Sequence, residues 1–150
     1  MNEKLKIDEL DSLVPLFDHY MVFYGKNSNP DGYREYLHER IDKEEATVFL
    51  ARTATGQPIG FVLNYHSFSS VSLGKIIVLN DLYVSPEARN KGIGEVLIKQ
   101  TFGFAKECGA VRVDLGTAKD NVIAQGLYEK IGFVKDTKFY SYSYNLAPEA

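Results

Sequence analysis

A basic, glycine-rich loop follows a predicted strand and leads directly into a predicted helix. Arg89, Lys91, Gly92 and Gly94 all lie between positions 89 and 94. The first N–H groups of a helix have no partner inside it and carry partial positive charge. Glycines remove the Cβ atoms that keep an anion away from the backbone, and the two basic side chains add full charges. The spacing therefore predicts a phosphate-binding loop. The alternative is an ordinary strand–helix connection whose glycines serve turn geometry.

The loop differs from the two common nucleotide-binding loops. It lacks the Gly-Lys followed by Ser or Thr that a nucleoside-triphosphate loop requires, and it lacks the full three-glycine dinucleotide fingerprint.

Two polar residues interrupt the apolar run that precedes this loop. The run from Ile76 to Val84 has the composition of a strand buried on both faces, and Asn80 and Asp81 lie inside it. Strand alternation points these two side chains to opposite faces unless a bulge intervenes. A buried, hydrogen-bonded structural carboxylate is one interpretation of Asp81, and a functional carboxylate is the equal alternative.

A later helix carries a polar stripe. Asn121, Ala124, Gln125 and Tyr128 are spaced by three, four and seven positions, which places them on one helical face. A tyrosine hydroxyl is a neutral proton donor at pH 7, with a reference pKa of about 10. Tyr128 can therefore protonate a leaving group, and a core tyrosine on an amphipathic helix is the alternative.

These motifs together resemble the GNAT superfamily of N-acetyltransferases. The pattern Arg89-x-x-Gly92-x-Gly94, after a strand that ends Leu82-Tyr83-Val84, resembles the family's acyl-coenzyme A loop. The segment from Asn121 to Phe133 resembles the second signature of the family, in the same order and at a typical separation. The resemblance covers positions 76–133 well and the N-terminal third only by pattern.

The resemblance implies that acetyl-coenzyme A is the co-substrate. In the family, the glycine loop holds the pyrophosphate, and the end of the central strand pairs with the pantetheine arm where a bulge opens a gap. Asn121 would hydrogen-bond to the same arm, and Tyr128 would protonate the leaving thiolate. The implied binding residues before the second signature are Leu82, Tyr83, Val84, Arg89, Asn90, Lys91, Gly92, Ile93 and Gly94.

The implied activity is acetyl transfer to a primary amine of a small molecule, such as a polyamine or an amino acid, by direct attack in a ternary complex. Many relatives carry an acid at the position of Asn80 that takes the amine proton through water. An amide cannot act as a base, which leaves Asp81 as the candidate, with His66 and bulk water behind it. A non-catalytic acyl-coenzyme A sensor and a protein or peptide lysine acetyltransferase remain as alternatives.

Composition limits the classes of function. A length of 150 residues fits one domain spanning positions 1–150, and a net charge of -3 gives no indication of nucleic-acid binding. Cys108 is the sole cysteine, which excludes an internal disulfide and suits the cytoplasm. No apolar run reaches membrane-spanning length. His19, His38 and His66 are too scattered to predict a metal site.

The periodicity predicts an α/β (α+β) architecture, which fits the GNAT fold: a mixed, mostly antiparallel central sheet of about six to seven strands flanked by about four helices. Asp31 is expected to cap the second helix. Tyr140, Tyr142 and Tyr144 share one face of the last predicted strand and suggest a homodimer interface. The predicted strands are Leu5–Ile7, Ala46–Arg52, Ile59–Tyr65, Ile76–Val84, Val111–Leu115, Phe133–Val134 and Lys138–Leu146.

Overall fold

The computed structural model describes residues 3–147 and divides the chain into two compact units, Met1–Gly116 and Thr117–Ala150. Single 3-10 turns at Ile7–Glu9 and Pro86–Ala88 accompany the regular elements of the first unit. The second unit contains α4 (Val122–Ile131). The regular elements of the first unit are α1 (Leu10–Phe23), α2 (Pro30–Asp42), β1 (Ala46–Arg52), β2 (Pro58–Ser69), β3 (Gly74–Val84), α3 (Ile93–Glu107) and β4 (Arg112–Asp114).

The sheet is mixed, as predicted, and its strand order is β1-β2-β3-β4. The first two pairs are antiparallel, and β3 pairs with β4 in parallel. The predicted strand number was too high, because the sheet has four strands within residues 3–147. The segments 133–134 and 138–146 alternate in polarity but are not strands. Alternation indicates which side chains share a face, whereas a strand also requires a hydrogen-bonded neighbour.

The N-terminal segment turns where a strand was predicted. The backbone N–H of Leu5 donates to the carbonyl of Val48 at 2.7 Å, but this single bond does not extend into a ladder. The N–H of Lys6 donates to Oε1 of Glu9 at 2.9 Å, which closes the 3-10 turn before α1. The chain therefore enters a helix immediately after one contact with β1.

The two faces of the sheet are covered by different helices. On β2, Phe61 and Leu63 join the apolar cluster formed with α1, which includes the buried Phe17. The next residue, Asn64, faces α3, where its Nδ2 donates to Oγ1 of the buried Thr101 at 3.0 Å. Because successive strand residues point to opposite faces, the register of β2 decides which side chains meet α1 and which meet α3.

Candidate active site

The loop before α3 has two residues in the left-handed region of backbone conformation. Asn90 and Gly92 have positive φ values of 64° and 79°, and Gly92 is the N-cap residue of α3. The first bond of the helix runs from the N–H of Val96 to the carbonyl of Gly92 at 3.1 Å. The N–H groups of residues 93–95 precede that bond, so they are the ones that helix geometry leaves for a ligand.

Arg89 is held against the protein surface beside this loop. Its Nε donates to the carbonyl of Val84 at 2.8 Å. Its guanidinium carbon lies 5.6 Å from the ring centroid of Phe23 and 5.7 Å from that of Tyr83. These distances are typical of cation–π contacts. The positive charge of Arg89 is therefore positioned by β3 and α1, and the exposed Lys91 lies in the loop itself.

A β-bulge interrupts β3 at the polar pair. Leu63 of β2 lies opposite Asp81, but the next residue, Asn64, lies opposite Leu79. Asn80 is thus the extra residue, and the alternation of β3 shifts by one position there. Asp81 consequently shares the face of Leu63, which is the face covered by α1.

One edge of β3 is open beyond the bulge. The parallel pairing with β4 ends at Val78, opposite Asp114, whereas pairing with β2 continues to Val84. Within residues 3–147, no strand pairs with the other edge of residues 79–84. An extended ligand could add to this edge as another strand does. The predicted binding residues Leu82, Tyr83 and Val84 lie here, although the Val84 carbonyl already accepts from Arg89.

The carboxylate of Asp81 accepts a hydrogen bond on each oxygen. The hydroxyl of Tyr20 donates to Oδ1, and Nδ2 of Asn80 donates to Oδ2 at 2.8 Å. Asp81 itself is half-buried. Tyr20 was not predicted as a site residue, although it continues the helical spacing of Leu13 and Phe17 that marks the inner face of α1.

A pair of hydrogen-bonded tyrosines, Tyr36 of α2 and Tyr65 of β2, lies on the same face of the sheet as Asp81. The hydroxyls of Tyr36 and Tyr65 are 2.6 Å apart, and the guanidinium carbon of Arg40 lies 5.1 Å from the Tyr36 ring centroid. Burial raises the pKa of Tyr65, and the hydrogen bond with Tyr36 and the negative charge of Asp81 raise it further. Tyr65 therefore stays a neutral hydroxyl near the carboxylate. The sequence offered no signal for this pair beyond strand alternation.

His66, considered as a base behind Asp81, faces the opposite side of the sheet. Its Nε2 is 2.7 Å from Oγ1 of Thr47, and its ring stacks at 5.6 Å on Phe104 of α3. Burial lowers the pKa of His66, and the positive charge of Lys75 lowers it further. His66 therefore does not share the face on which Asp81 lies.

In the second unit, the predicted polar stripe caps and supports α4. Asn121 is the N-cap residue, and its Oδ1 accepts from the N–H of Ala124 at 3.2 Å. Nε2 of Gln125 donates to the carbonyls of residues 118 and 119, both at 3.0 Å. The half-buried Tyr128 meets Phe133 edge-on, with ring centroids 5.8 Å apart. Capping uses the Asn121 oxygen, so a hydrogen bond to a ligand carbonyl would come from its amide nitrogen.

Acidic side chains near the N-terminal helices have different roles. Asp18 is buried and accepts from Oγ of Ser28 at 2.7 Å and from the N–H of Asn29 at 2.8 Å. It therefore fastens the α1–α2 connection and is not available to a cationic substrate. Asp31 and Glu35 line a shallow depression along α2 that contains none of the predicted site residues.

Within the described residues, no group of three or more His, Cys, Asp or Glu side chains could hold a metal ion. No helix in that part of the chain is long and apolar enough to cross a membrane.

Known proteins resemble the chain over most of its length. Residues 13–133 match the sequence model of the acetyltransferase (GNAT) family. An uncharacterized N-acetyltransferase of Bacillus subtilis, YhfO, is 37% identical over 141 residues, which cover 94% of each protein. The D-amino-acid N-acetyltransferase HPA3 of Saccharomyces cerevisiae is 36% identical over 88 residues, covering 59% of this chain and 55% of HPA3. The crystal structure of a probable acetyltransferase superposes with a TM-score of 0.92 at 37% identity and covers 99% of each chain.

Proposed function

Because the chain belongs to the GNAT acetyltransferase family, we propose that it transfers an acetyl group from acetyl-coenzyme A to a primary amine of a small molecule by direct attack in a ternary complex. The family uses acetyl-coenzyme A and comprises N-acetyltransferases. The observation that best supports the proposal is the bulge at Asn80. The bulge turns the Asp81 side chain toward the face that α1 covers, and the edge of β3 is open beyond the bulge.

The backbone of the first unit suits coenzyme A. The start of α3, with Gly92 in the left-handed conformation, would bind the pyrophosphate through N–H groups, and Lys91 would add charge. The open edge of β3 would pair with the pantetheine arm near Leu82. Asn121 would contact the same arm through its amide nitrogen. Acetyl-coenzyme A supplies, when bound, an acetyl group activated as a thioester.

Two side chains would move protons. An amine attacks only as the neutral base, so its ammonium proton must leave, and we assign that proton to the carboxylate of Asp81, directly or through water. The C–N bond forms and the C–S bond breaks, and the hydroxyl of Tyr128 would protonate the departing thiolate. The second proton that the nitrogen loses on becoming an amide passes to solvent, and solvent returns a proton to the Tyr128 phenolate. Asn80 donates to Asp81 at 2.8 Å, so its amide acts as a hydrogen-bond donor and not as a base.

The acceptor is proposed to be small and cationic. Asp81 offers a negative charge, and the tyrosine hydroxyls on the same face offer neutral polar contacts. The yeast relative, named for D-amino acids, supports an amine of that size. We further propose that the chain acts as one domain, 1–150, in the cytoplasm and as a homodimer; a monomeric mass at micromolar concentration in light scattering would contradict the dimer.

Release of the coenzyme A thiol, measured with acetyl-coenzyme A and a panel of amines, tests the proposal. The panel holds polyamines, L- and D-amino acids, aminoglycosides, aminosugars and a basic peptide. We expect turnover with one class of small amine. Turnover confined to the peptide would favour a lysine acetyltransferase, and acetyl-coenzyme A binding without turnover would favour a sensor.

Two variants test the residue roles. Tyr128→Phe is expected to lower kcat by about 100-fold or more while the affinity for acetyl-coenzyme A stays the same, because general acids typically contribute 10²–10⁴-fold. Tyr140→Phe, at an exposed tyrosine of the same unit, is the matched control. Asp81→Asn is expected to lower kcat within the same range of about 10²–10⁴. An unchanged pH–rate profile in Asp81→Asn would refute its role as the base.

A further inference from the structure

Tyr20 is a polar side chain near the bulge whose ring is packed among other aromatic rings. It is half-buried on the inner side of α1, and aromatic rings surround its own ring. Four ring contacts of this kind leave the hydroxyl little freedom to move, since each pair also favours a particular geometry. The centroid distances from Tyr20 are 5.8 Å to Phe17, 4.9 Å to Tyr24, 5.5 Å to Phe61 and 5.7 Å to Tyr83.

The hydroxyl of Tyr20 is directed at the one carboxylate that the bulge turns to this face. It donates to Oδ1 of Asp81, and Asn80 takes Oδ2 at 2.8 Å. The two donors come from different elements, α1 and the bulge itself. Together they fix both the position and the plane of the carboxyl group, which a single donor would leave free to rotate.

The ring contacts also connect Tyr20 with the phosphate-binding loop. Tyr83, which is buried and lies edge-on to Tyr20, has the Arg89 guanidinium 5.7 Å from its ring centroid. Arg89 in turn is fastened to the Val84 carbonyl. The carboxylate and the basic side chain of the loop are therefore held by one continuous set of packed rings.

We infer that Tyr20 is a positioning residue, which holds the carboxylate of Asp81 in the orientation that accepts the acceptor's ammonium proton. This inference rests on the proposed acetyl transfer to an amine. Tyr20 touches the reacting atoms only through Asp81. Removal of the Tyr20 hydroxyl therefore lowers the rate of the chemical step and leaves the binding of acetyl-coenzyme A unchanged.

A double-mutant cycle tests the inference. In the wild-type background, Tyr20→Phe is expected to lower kcat by about 10- to 100-fold, because small misplacements of a catalytic group cost up to about 10²-fold. The KM for acetyl-coenzyme A is expected to stay within about twofold. In the Asp81→Asn background, the same change is expected to cost less than about threefold, since the group that it positions is already gone.

Tyr33→Phe is the matched control. Tyr33 lies on α2, its ring is 5.6 Å from that of Phe17, and its hydroxyl donates to the backbone carbonyl of Asn27. It therefore loses a comparable hydroxyl in the same aromatic layer without touching Asp81. Equal losses in Tyr33→Phe and Tyr20→Phe, or equal losses from Tyr20→Phe in both backgrounds, would overturn the inference.

The four proteins of the cycle (wild type, Tyr20→Phe, Asp81→Asn and the double variant) are also unfolded in urea, which separates this inference from the proposed function. Non-additive losses of stability for Tyr20→Phe and Asp81→Asn, with turnover present, would support a bonded pair that acts in catalysis. Non-additive losses in a protein that turns over no amine would refute both the proposed function and the positioning role, because the bond would then be purely structural. Additive losses, with turnover intact in Tyr20→Phe, would refute the positioning role alone.

Discussion

Gly92→Ala offers a sharp test of the loop before α3. Gly92 has a φ of +79°, and a Cβ at this position would meet no atom within 4 Å. The substitution therefore adds no steric contact, and its cost is the strain of an L-residue in the left-handed region, about 1–2 kcal/mol. This energy must be lost either from the folded protein or from ligand binding.

The two possibilities have different readouts. If the loop keeps its shape, the free energy of unfolding in urea falls by about 1–2 kcal/mol and the Kd for acetyl-coenzyme A stays the same. If the loop relaxes to negative φ, stability is retained and the Kd, measured by calorimetry, rises by about 5- to 30-fold, since 1.4 kcal/mol is a factor of ten. Intermediate results should add to the same total. Asn tolerates the left-handed region, so Gly92→Asn should restore most of the loss.

Gly109→Ala is the matched control at the other end of α3. Gly109 has a φ of +75°, and its Cβ would also meet no atom within 4 Å. The strain is therefore the same, but the position follows the C-terminus of the helix, where no phosphate is expected. Stability should fall while the Kd is unchanged. A wild-type stability and Kd in Gly92→Ala would refute the assigned loop conformation, and an equal rise of Kd in Gly109→Ala would refute the assigned phosphate site.

Two further predictions concern the face of the sheet that α3 covers. Thr101→Val removes the acceptor for the buried Asn64 amide and is expected to lower the free energy of unfolding by about 1–3 kcal/mol. Adding Asn64→Leu to Thr101→Val should recover part of this loss. An unchanged free energy of unfolding in Thr101→Val alone would contradict the pairing. The pKa of His66 lies below its ordinary value of 6.5 because of burial, so the unfolded chain binds this proton first as the pH falls. The free energy of unfolding in urea should therefore be lower at pH about 5.5 than at pH about 7.5, and the difference should be smaller in His66→Gln. An equal pH dependence in both proteins would contradict the lowered pKa of His66.

The sequence predicted best those features that depend on local periodicity and spacing. The bounds of β1 were correct, and a helix follows the glycine loop as predicted, because each segment has a strong pattern. The family was also correct, since two signatures at a typical separation are far more specific than one. The second helix, however, is capped by Asn29 rather than Asp31, because the helix already begins at Pro30, one residue before Asp31.

Features that depend on how two strands pair could not be predicted from the residues alone, and a bulge in the central strand was implied only by the resemblance to the GNAT family. The bulge at Asn80 is a relation between β3 and β2, and the sequence of β3 alone is compatible with a regular strand. The role of Tyr20 depends on that bulge, because regular alternation continued from Leu79, which lies opposite Asn64 on the α3 face, would point Asp81 away from α1. The alternation after Phe133 predicted strands, but alternation cannot supply the hydrogen-bonded partner that a strand needs.

The mass of the protein after incubation with acetyl-coenzyme A, measured with and without an amine acceptor, tests direct acetyl transfer most directly. Direct attack predicts an unchanged protein mass in both samples. With the acceptor, it predicts one N-acetylated amine for each coenzyme A thiol released. A stable increase by one acetyl group in the absence of amine, discharged when amine is added, would contradict direct attack. Thiol release without an N-acetylated small amine would contradict the proposed acceptor.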